Sequence, residues 1–252
     1  MRPSAITAAC TAVFALSLPL TAFADVTSTA QISNFRFEVI DLDLEDGIAA
    51  ALTLDDGGKV LTAGYYDDFG IPDPFEYLTE DGSVTATVGT GSATASLANG
   101  TANVSAHFTG NEGEFFSTVA VGHSFTLTAN TQVVLYADAS ATGGAGADSQ
   151  YGGSSYSLLF GLTYDAVTGE PTQTEDVLVS LLGNTEARQL SVTFASGNAA
   201  LEGELGYAAS AYAGVSPVPE PSQVALLTLG LAGLGWRLRR ATKAQPWAAE
   251  RN

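Results

Sequence analysis

The sequence predicts an all-β protein: an antiparallel β-sandwich, jelly-roll or immunoglobulin-like, with a signal helix before it and a short apolar helix after it. Three observations carry that expectation. The chain is rich in Ala, Gly, Thr, Ser and Val with scattered aromatics and only nine Lys and Arg, a composition that disfavours long helices and suits strands. Apolar and polar residues alternate at period two over short runs, the signature of a half-buried strand. Gly- and Asn-containing dipeptides punctuate those runs, where turns need positive φ.

Taken in order, Phe35, Phe37 and Val39 alternate with Arg36 and Glu38, giving the first strand. The phase slips at Val39-Ile40, which predicts a bulge there. Leu42 and Leu44 continue the alternation, Asp46-Gly47 reads as a hairpin turn, and 48–54 as the return strand. Asp55-Asp56-Gly57-Gly58 turns into a strand over 60–66. Two prolines among acidic and Gly residues mark 67–75 as a loop. Strands follow over 83–88, 93–97 and 101–108, the last two joined by the strong hairpin dipeptide Asn99-Gly100. Further strands are expected over 115–121, 124–128 and 132–137. The Gly-, Ala- and Ser-dense stretch 142–153 reads as a wide connection, and strands over 156–164, 177–182, 190–194 and 201–212 complete the body. Regular short strands with turn punctuation imply a sandwich.

Charge and cysteine usage narrow the function classes. Between Asp25 and Ser216 stand 25 carboxylates and three cations (Arg36, Lys59 and Arg188), a balance of −22. Such a polyanion is a poor ligand for nucleic acid or an anionic membrane and suits divalent cations, basic partners or simple solubility. Cys10 is the one cysteine and falls in the leader, so a mature body without it forms no disulfide and performs no Cys–His chemistry.

The candidate sites in the body are few. Asp41, Asp43, Glu45 and Asp46 invite a calcium reading, but Asp46 stands where an EF-hand needs Gly and Leu52 where it needs Glu. On a strand, Asp41, Asp43 and Glu45 would share one solvated face. Asp67-Asp68 and 73–76 add acidic clusters. His107 and His123 do not sit at metal-ligand spacing, and neither a metal nor another cofactor is expected. No Gly-x-Ser-x-Gly elbow is present. Paired carboxylates for glycoside hydrolysis are conceivable in an acidic β protein, yet nothing singles out a pair. Tyr65, Tyr66, Tyr77, Tyr151, Tyr156 and Tyr164 are candidates for a sugar-binding face, packing being the ordinary role of such tyrosines.

The two ends are handling segments. Arg2 precedes the apolar run 5–20, and Ala22-Phe23-Ala24 offers a signal peptidase its small-x-small site, so cleavage after Ala24 would leave Asp25 first. Near the other end, Val218-Pro219-Glu220-Pro221 precedes an uncharged apolar run, 222–236, and then Arg237, Arg239 and Arg240. Two prolines hold the motif extended and remove two backbone donors. The run is about 22 Å long as a helix at roughly 1.5 Å per residue, a short span that flanking arginines extend by snorkelling. Those arginines should remain cytoplasmic while the body lies outside.

This tripartite tail resembles the PEP-CTERM sorting signal of Gram-negative bacteria: the motif at 218–221, the transmembrane helix 222–236 and the basic cluster 237–240. The chain departs from that pattern by running on through 241–252, read as a cytoplasmic tail. Three stretches of the body, 32–49, 125–133 and the one from Leu190 into the tail motif, are also similar to uncharacterised proteins carrying that signal. The resemblance implies an exported precursor held in the inner membrane and then processed by exosortase, in bacteria that make exopolysaccharide or biofilm.

The expected organisation is therefore a signal peptide (1–24), an acidic β-sandwich (25–216), a sorting signal (217–240) and a tail. The expected partners are signal peptidase, exosortase, exopolysaccharide and, transiently, the membrane, with no nucleic acid. The function expected of the body is structural or adhesive at the cell surface or in the matrix. A carbohydrate-binding module is the alternative, a polysaccharide hydrolase a more distant one, and the chain is read as a non-enzyme.

Overall fold

The structure, a computed structural model, describes residues 24–214 except 56, 68–69, 111–112, 145–151, 165–169 and 182. The signal segment, including Ala22, and the whole of 217–252, including Val218, Pro219, Glu220, Pro221, Arg237, Arg239 and Arg240, lie outside the described residues. Among those described, no helix is long and apolar enough to cross a membrane.

Among the described residues, thirteen strands, paired antiparallel throughout, make two sheets. They are β1 (Ala24–Asp41), β2 (Leu52–Leu54), β3 (Gly58–Tyr66), β4 (Pro72–Leu78), β5 (Gly82–Val88), β6 (Gly91–Ala98), β7 (Thr101–Gly110), β8 (Glu114–Leu127), β9 (Thr131–Thr142), β10 (Ser154–Tyr164), β11 (Pro171–Leu181), β12 (Thr185–Ala195) and β13 (Leu201–Gly214). One sheet runs β12-β9-β1-β7-β6-β5 and the other β11-β10-β13-β8-β3-β4, with β2 also on β8. The predicted β-sandwich is thus present, with more strands than the eight of a jelly roll or the seven to nine of an immunoglobulin domain.

Several expected boundaries shift, each for a local reason. The phase slip in β1 falls between Ser33 and Arg36, not at Val39-Ile40. Asn34 takes φ 56° there, a left-handed conformation Asn tolerates, and its Nδ2 donates to Asp138 Oδ2 at 2.9 Å. Asp46-Gly47 does not close a hairpin between adjacent strands, and 48–51 are not extended pairs. β2 is three residues long and pairs with β8 in the opposite sheet, so 42–51 carries the chain from one layer to the other. Three carboxylates drive that crossing: the amides of Asp43, Glu45 and Ile48 donate to Asp41, Asp43 and Asp46, respectively. Such side-chain turns satisfy the backbone locally and compete with a ladder.

The stretch expected to be a loop, 67–75, contributes most of edge strand β4, where Pro72 and Pro74 are tolerated because one side of the strand needs no ladder bond. The two strands expected at 115–121 and 124–128 form the single strand β8. Asn99-Gly100 is a hairpin turn as expected, with φ 52° and 72°.

Between the sheets lie large side chains with essentially no exposure, among them Ile32, Leu61, Leu97, Phe115, Leu127, Leu135, Leu159 and Leu190. Each stabilises the fold by roughly 1.5–3 kcal/mol relative to exposure. Elsewhere the interior is Ala and Ser. Ser117 Oγ donates to Ser105 O across the layers at 2.9 Å, and Ser157 Oγ lies 3.1 Å from Gln31 O. Those bonds form because small residues let the sheets approach closely.

Candidate binding face

Strand β10 shows why one sheet has two apolar faces. Its inward positions are Ser155, Ser157, Leu159 and Gly161, and its outward ones Tyr156, Leu158, Phe160, Leu162 and Tyr164. The larger apolar residues are on the side away from the other sheet, inverting the usual pattern of an outer strand face.

Pairing registers extend this strip across the sheet. Val179, Tyr156, Ser210, Thr118, Thr62 and Tyr77 form one transverse row from β11 to β4. Leu181, Ser154, Tyr212, Phe116, Gly64 and Phe75 form the next, and Val177, Leu158, Ala208, Ala120 and Val60 a third. A fourth comprises Glu175, Phe160, Gly206, Gly122 and Gly58. From Gly206 to Tyr212 this spans about 20 Å along the strands, and about 24 Å across them, at ~3.3 Å per residue and ~4.8 Å per strand. Contiguous apolar faces of a few hundred Å² mark interaction sites.

Glycines let rings lie flat on this face. A Cβ on Gly206 would meet the Phe160 ring at 2.7 Å, and one on Gly64 the Phe116 ring at 2.6 Å. Phe116 in turn stacks on Tyr66 with centroids 4.5 Å apart, and Phe75 lies 6.1 Å from Phe116. The outer edge is open, with Tyr77 67% and Phe75 47% exposed. Small side chains occupy the middle, where Ser210 is fully buried and bonds to Thr118 at 3.0 Å.

Hydroxyls add polarity to this paving. Burial raises the Tyr212 phenol, as do neighbouring Tyr156 and Glu114, against hydrogen bonds from Thr118 and Ser210. Glu114, in a row with Tyr66 and Gly214, is itself pushed up by burial. An apolar, aromatic surface with a few placed hydroxyls and carboxyls is suited to binding a ligand that has both apolar faces and polar edges.

The tyrosines singled out by sequence divide. Tyr66, Tyr77 and Tyr156 come together on this face, whereas Tyr164, on the same side of β10, stands opposite Pro171, four residues beyond the Phe160 row. Tyr65 points inward against Phe115, centroids 5.0 Å apart, and Tyr151 lies outside the described residues. The acidic run does not form one strand face, because β1 ends at Asp41 and Asp43 to Asp46 lie in the crossing. Asp46 accepts from Asn130 Nδ2 at 2.7 Å, which holds its carboxyl below the usual range.

His107 Nε2 sits 2.9 Å from Asp25 Oδ1, and His123 Nδ1 3.1 Å from Asp55 O. Asp25, the expected first mature residue, follows Ala24 at the start of β1. Among the described residues no group of three His, Cys, Asp or Glu is arranged to hold a metal. Sequence reasoning missed Phe75, Phe116, Leu158, Phe160 and Tyr212. The signal for part of this set was available: 154–164 contains two interleaved alternations, and the one with the bulkier residues faces out.

Comparison with known proteins adds one firm finding. The family model for the PEP-CTERM protein-sorting motif matches residues 217–240. The chain therefore carries the sorting signal of an exosortase-processed extracellular protein, made as a membrane-anchored precursor and then secreted by a Gram-negative bacterium. No curated protein matches. Among solved structures, one similarity is to a chain described under "Structural basis for the promiscuous specificity of the carbohydrate-binding modules from the beta-sandwich super family". It has 10% identity, coverage of 77% of this chain and 97% of that one, and a TM-score of 0.15.

Proposed function

We propose that the mature protein is a structural or adhesive component of the cell surface or extracellular matrix. It works beside exopolysaccharide in a biofilm and acts by binding rather than by catalysis. The sorting motif supports its delivery, and one observation supports its adhesive role: Tyr66, Phe75, Tyr77, Phe116, Tyr156 and Phe160 share the outer face of a single sheet. Sugar rings have apolar faces and hydroxylated edges, and this surface has rings to match the former and Ser, Thr and Tyr hydroxyls to match the latter. That pairing also favours the carbohydrate-binding reading, which we take as the means by which the matrix role is carried out.

Two experiments test the proposal. Replacing Pro219, Glu220 and Pro221 with Ala should trap full-length precursor in the inner membrane, detected by fractionation; normal release would refute exosortase sorting through this motif. Secreted mature protein should co-sediment with the producing strain's exopolysaccharide, and Tyr77→Ala together with Phe75→Ala should abolish it. Unchanged co-sedimentation by that variant would remove the outer face from the account.

A further inference from the structure

The charge around the paved face differs from the charge on it. Its middle rows, from Tyr212 to Ala208 and across to Phe75 and Val60, carry none. Carboxylates stand at both ends along the strands. Glu114 closes one end in the row with Tyr66 and Gly214. At the other, Glu175 is directly opposite Phe160, and Glu204 opposite Leu162. Eight residues of β8 separate the Glu114 row from the Glu175 row, about 26 Å at ~3.3 Å per residue.

No described cation offsets them. Lys59 is held by Asp81 at 2.6 Å and Arg188 by Asp176 at 2.6 Å. Arg36 lies over the Tyr136 ring on the opposite sheet, 5.1 Å from its centroid. An anionic polymer reaching this face would meet rings without any positive partner, inside the field of a body carrying −22. A polymer with apolar ring faces and positive groups would satisfy both the rings and the carboxylates.

Resting on the adhesive reading above, we propose that the occupant of this face is an amine-bearing polysaccharide, a partly de-N-acetylated amino-sugar polymer. It runs along β8 and β13, its rings on Tyr66, Tyr156 and Phe160 and its ammonium groups directed to Glu114 at one end and Glu175 at the other. Charge complementarity selects the ligand class, and the ring paving supplies the contact surface.

Calorimetry on secreted mature protein tests this with four probes: partly de-N-acetylated chitin oligosaccharide, its fully acetylated counterpart, a neutral β-glucan and alginate. The amine-bearing oligosaccharide should bind about tenfold tighter than the acetylated one and lose that advantage in high salt, with alginate not binding. Glu114→Gln and Glu175→Gln should each reduce the preference for the amine-bearing over the acetylated probe several-fold, whereas Glu186→Gln on the other sheet should leave that preference as it is. Equal binding of amine-bearing and acetylated probes, tighter binding of alginate, or a preference untouched by Glu114→Gln and Glu175→Gln would overturn this inference and leave the adhesive reading standing. Binding of none of the probes or of the native exopolysaccharide, or a dimer in sedimentation that Phe75→Ala dissolves, would overturn both.

Discussion

The outer faces of the two sheets differ although both are built from the same alternation. On the sheet β12-β9-β1-β7-β6-β5, the outward positions make hydroxyl rows: Thr185, Thr142, Thr29, Ser105, Thr94 and Thr85 lie side by side, some bonded to each other at 3.1–3.2 Å. Most of its apolar residues point inward, Val134 and Tyr136 being outward exceptions. The other sheet is apolar on both sides, with Phe115, Val119 and Leu159 inside and Phe116, Val60 and Phe160 outside. A sheet needs one apolar face to make a sandwich. The second is surplus to folding, which is why the binding site is sought there and not on the threonine rows.

The largest effect expected from breaking this comparison is in the shared interior. Phe115→Ala removes a fully buried ring packed against Tyr65 and Phe108 and should cost about 3–5 kcal/mol in chemical denaturation. Gly206→Ala should come next. Its Cβ would approach Val121 O to 2.2 Å and displace the Phe160 ring, costing about 1–3 kcal/mol and weakening polysaccharide binding.

Tyr77→Ala sharpens the contrast, since this exposed ring should change stability by no more than ~0.5 kcal/mol yet lower binding. Thr94→Ala on the hydroxyl face should alter neither, as denaturation and co-sedimentation of the same preparation would show.

The smallest effects concern pH. Hydrogen bonding by Arg188 holds the Asp176 carboxyl below its usual range, so that group's contribution to stability is present above the carboxylate range and fades as pH falls through its lowered value. Glu114 has the opposite sign. Burial raises it, so the native state holds the proton more tightly, and stability declines as pH rises from the unfolded value through the raised one. Glu114→Gln should then be neutral or slightly stabilising at pH 7, and Asp176→Asn destabilising, as thermal melts across pH 3–8 would reveal.

Much of the fold was legible because burial on one face imposes period two, and the runs at 83–88, 93–97, 101–108 and 201–212 each fall within an observed strand. Asn99-Gly100 was legible for a different reason, the positive φ its turn requires. What failed was whatever depended on competition. At 42–51, alternation of Leu42 and Leu44 with acids suggested a ladder, but the Asp side chains capture nearby amides and the chain crosses layers instead. At Pro72 and Pro74, proline signalled a loop because sequence does not show that the strand is at an edge. For the site, three of the six candidate tyrosines, Tyr66, Tyr77 and Tyr156, lie on the binding face, while Phe116 and Phe160 were not singled out because an apolar residue in a strand does not by itself say which face it takes.

By itself the sequence determined the handling of this protein and its fold class: the sorting motif is a contiguous string, and strand alternation is a local pattern that needs no partner to be read. Tertiary structure alone decided which of the two alternations in β10 faces outward and which residues of β8, β13, β3 and β4 stand beside it. Side-chain direction follows from pairing register, and register is set by contacts between segments as far apart as Tyr77 and Ser210.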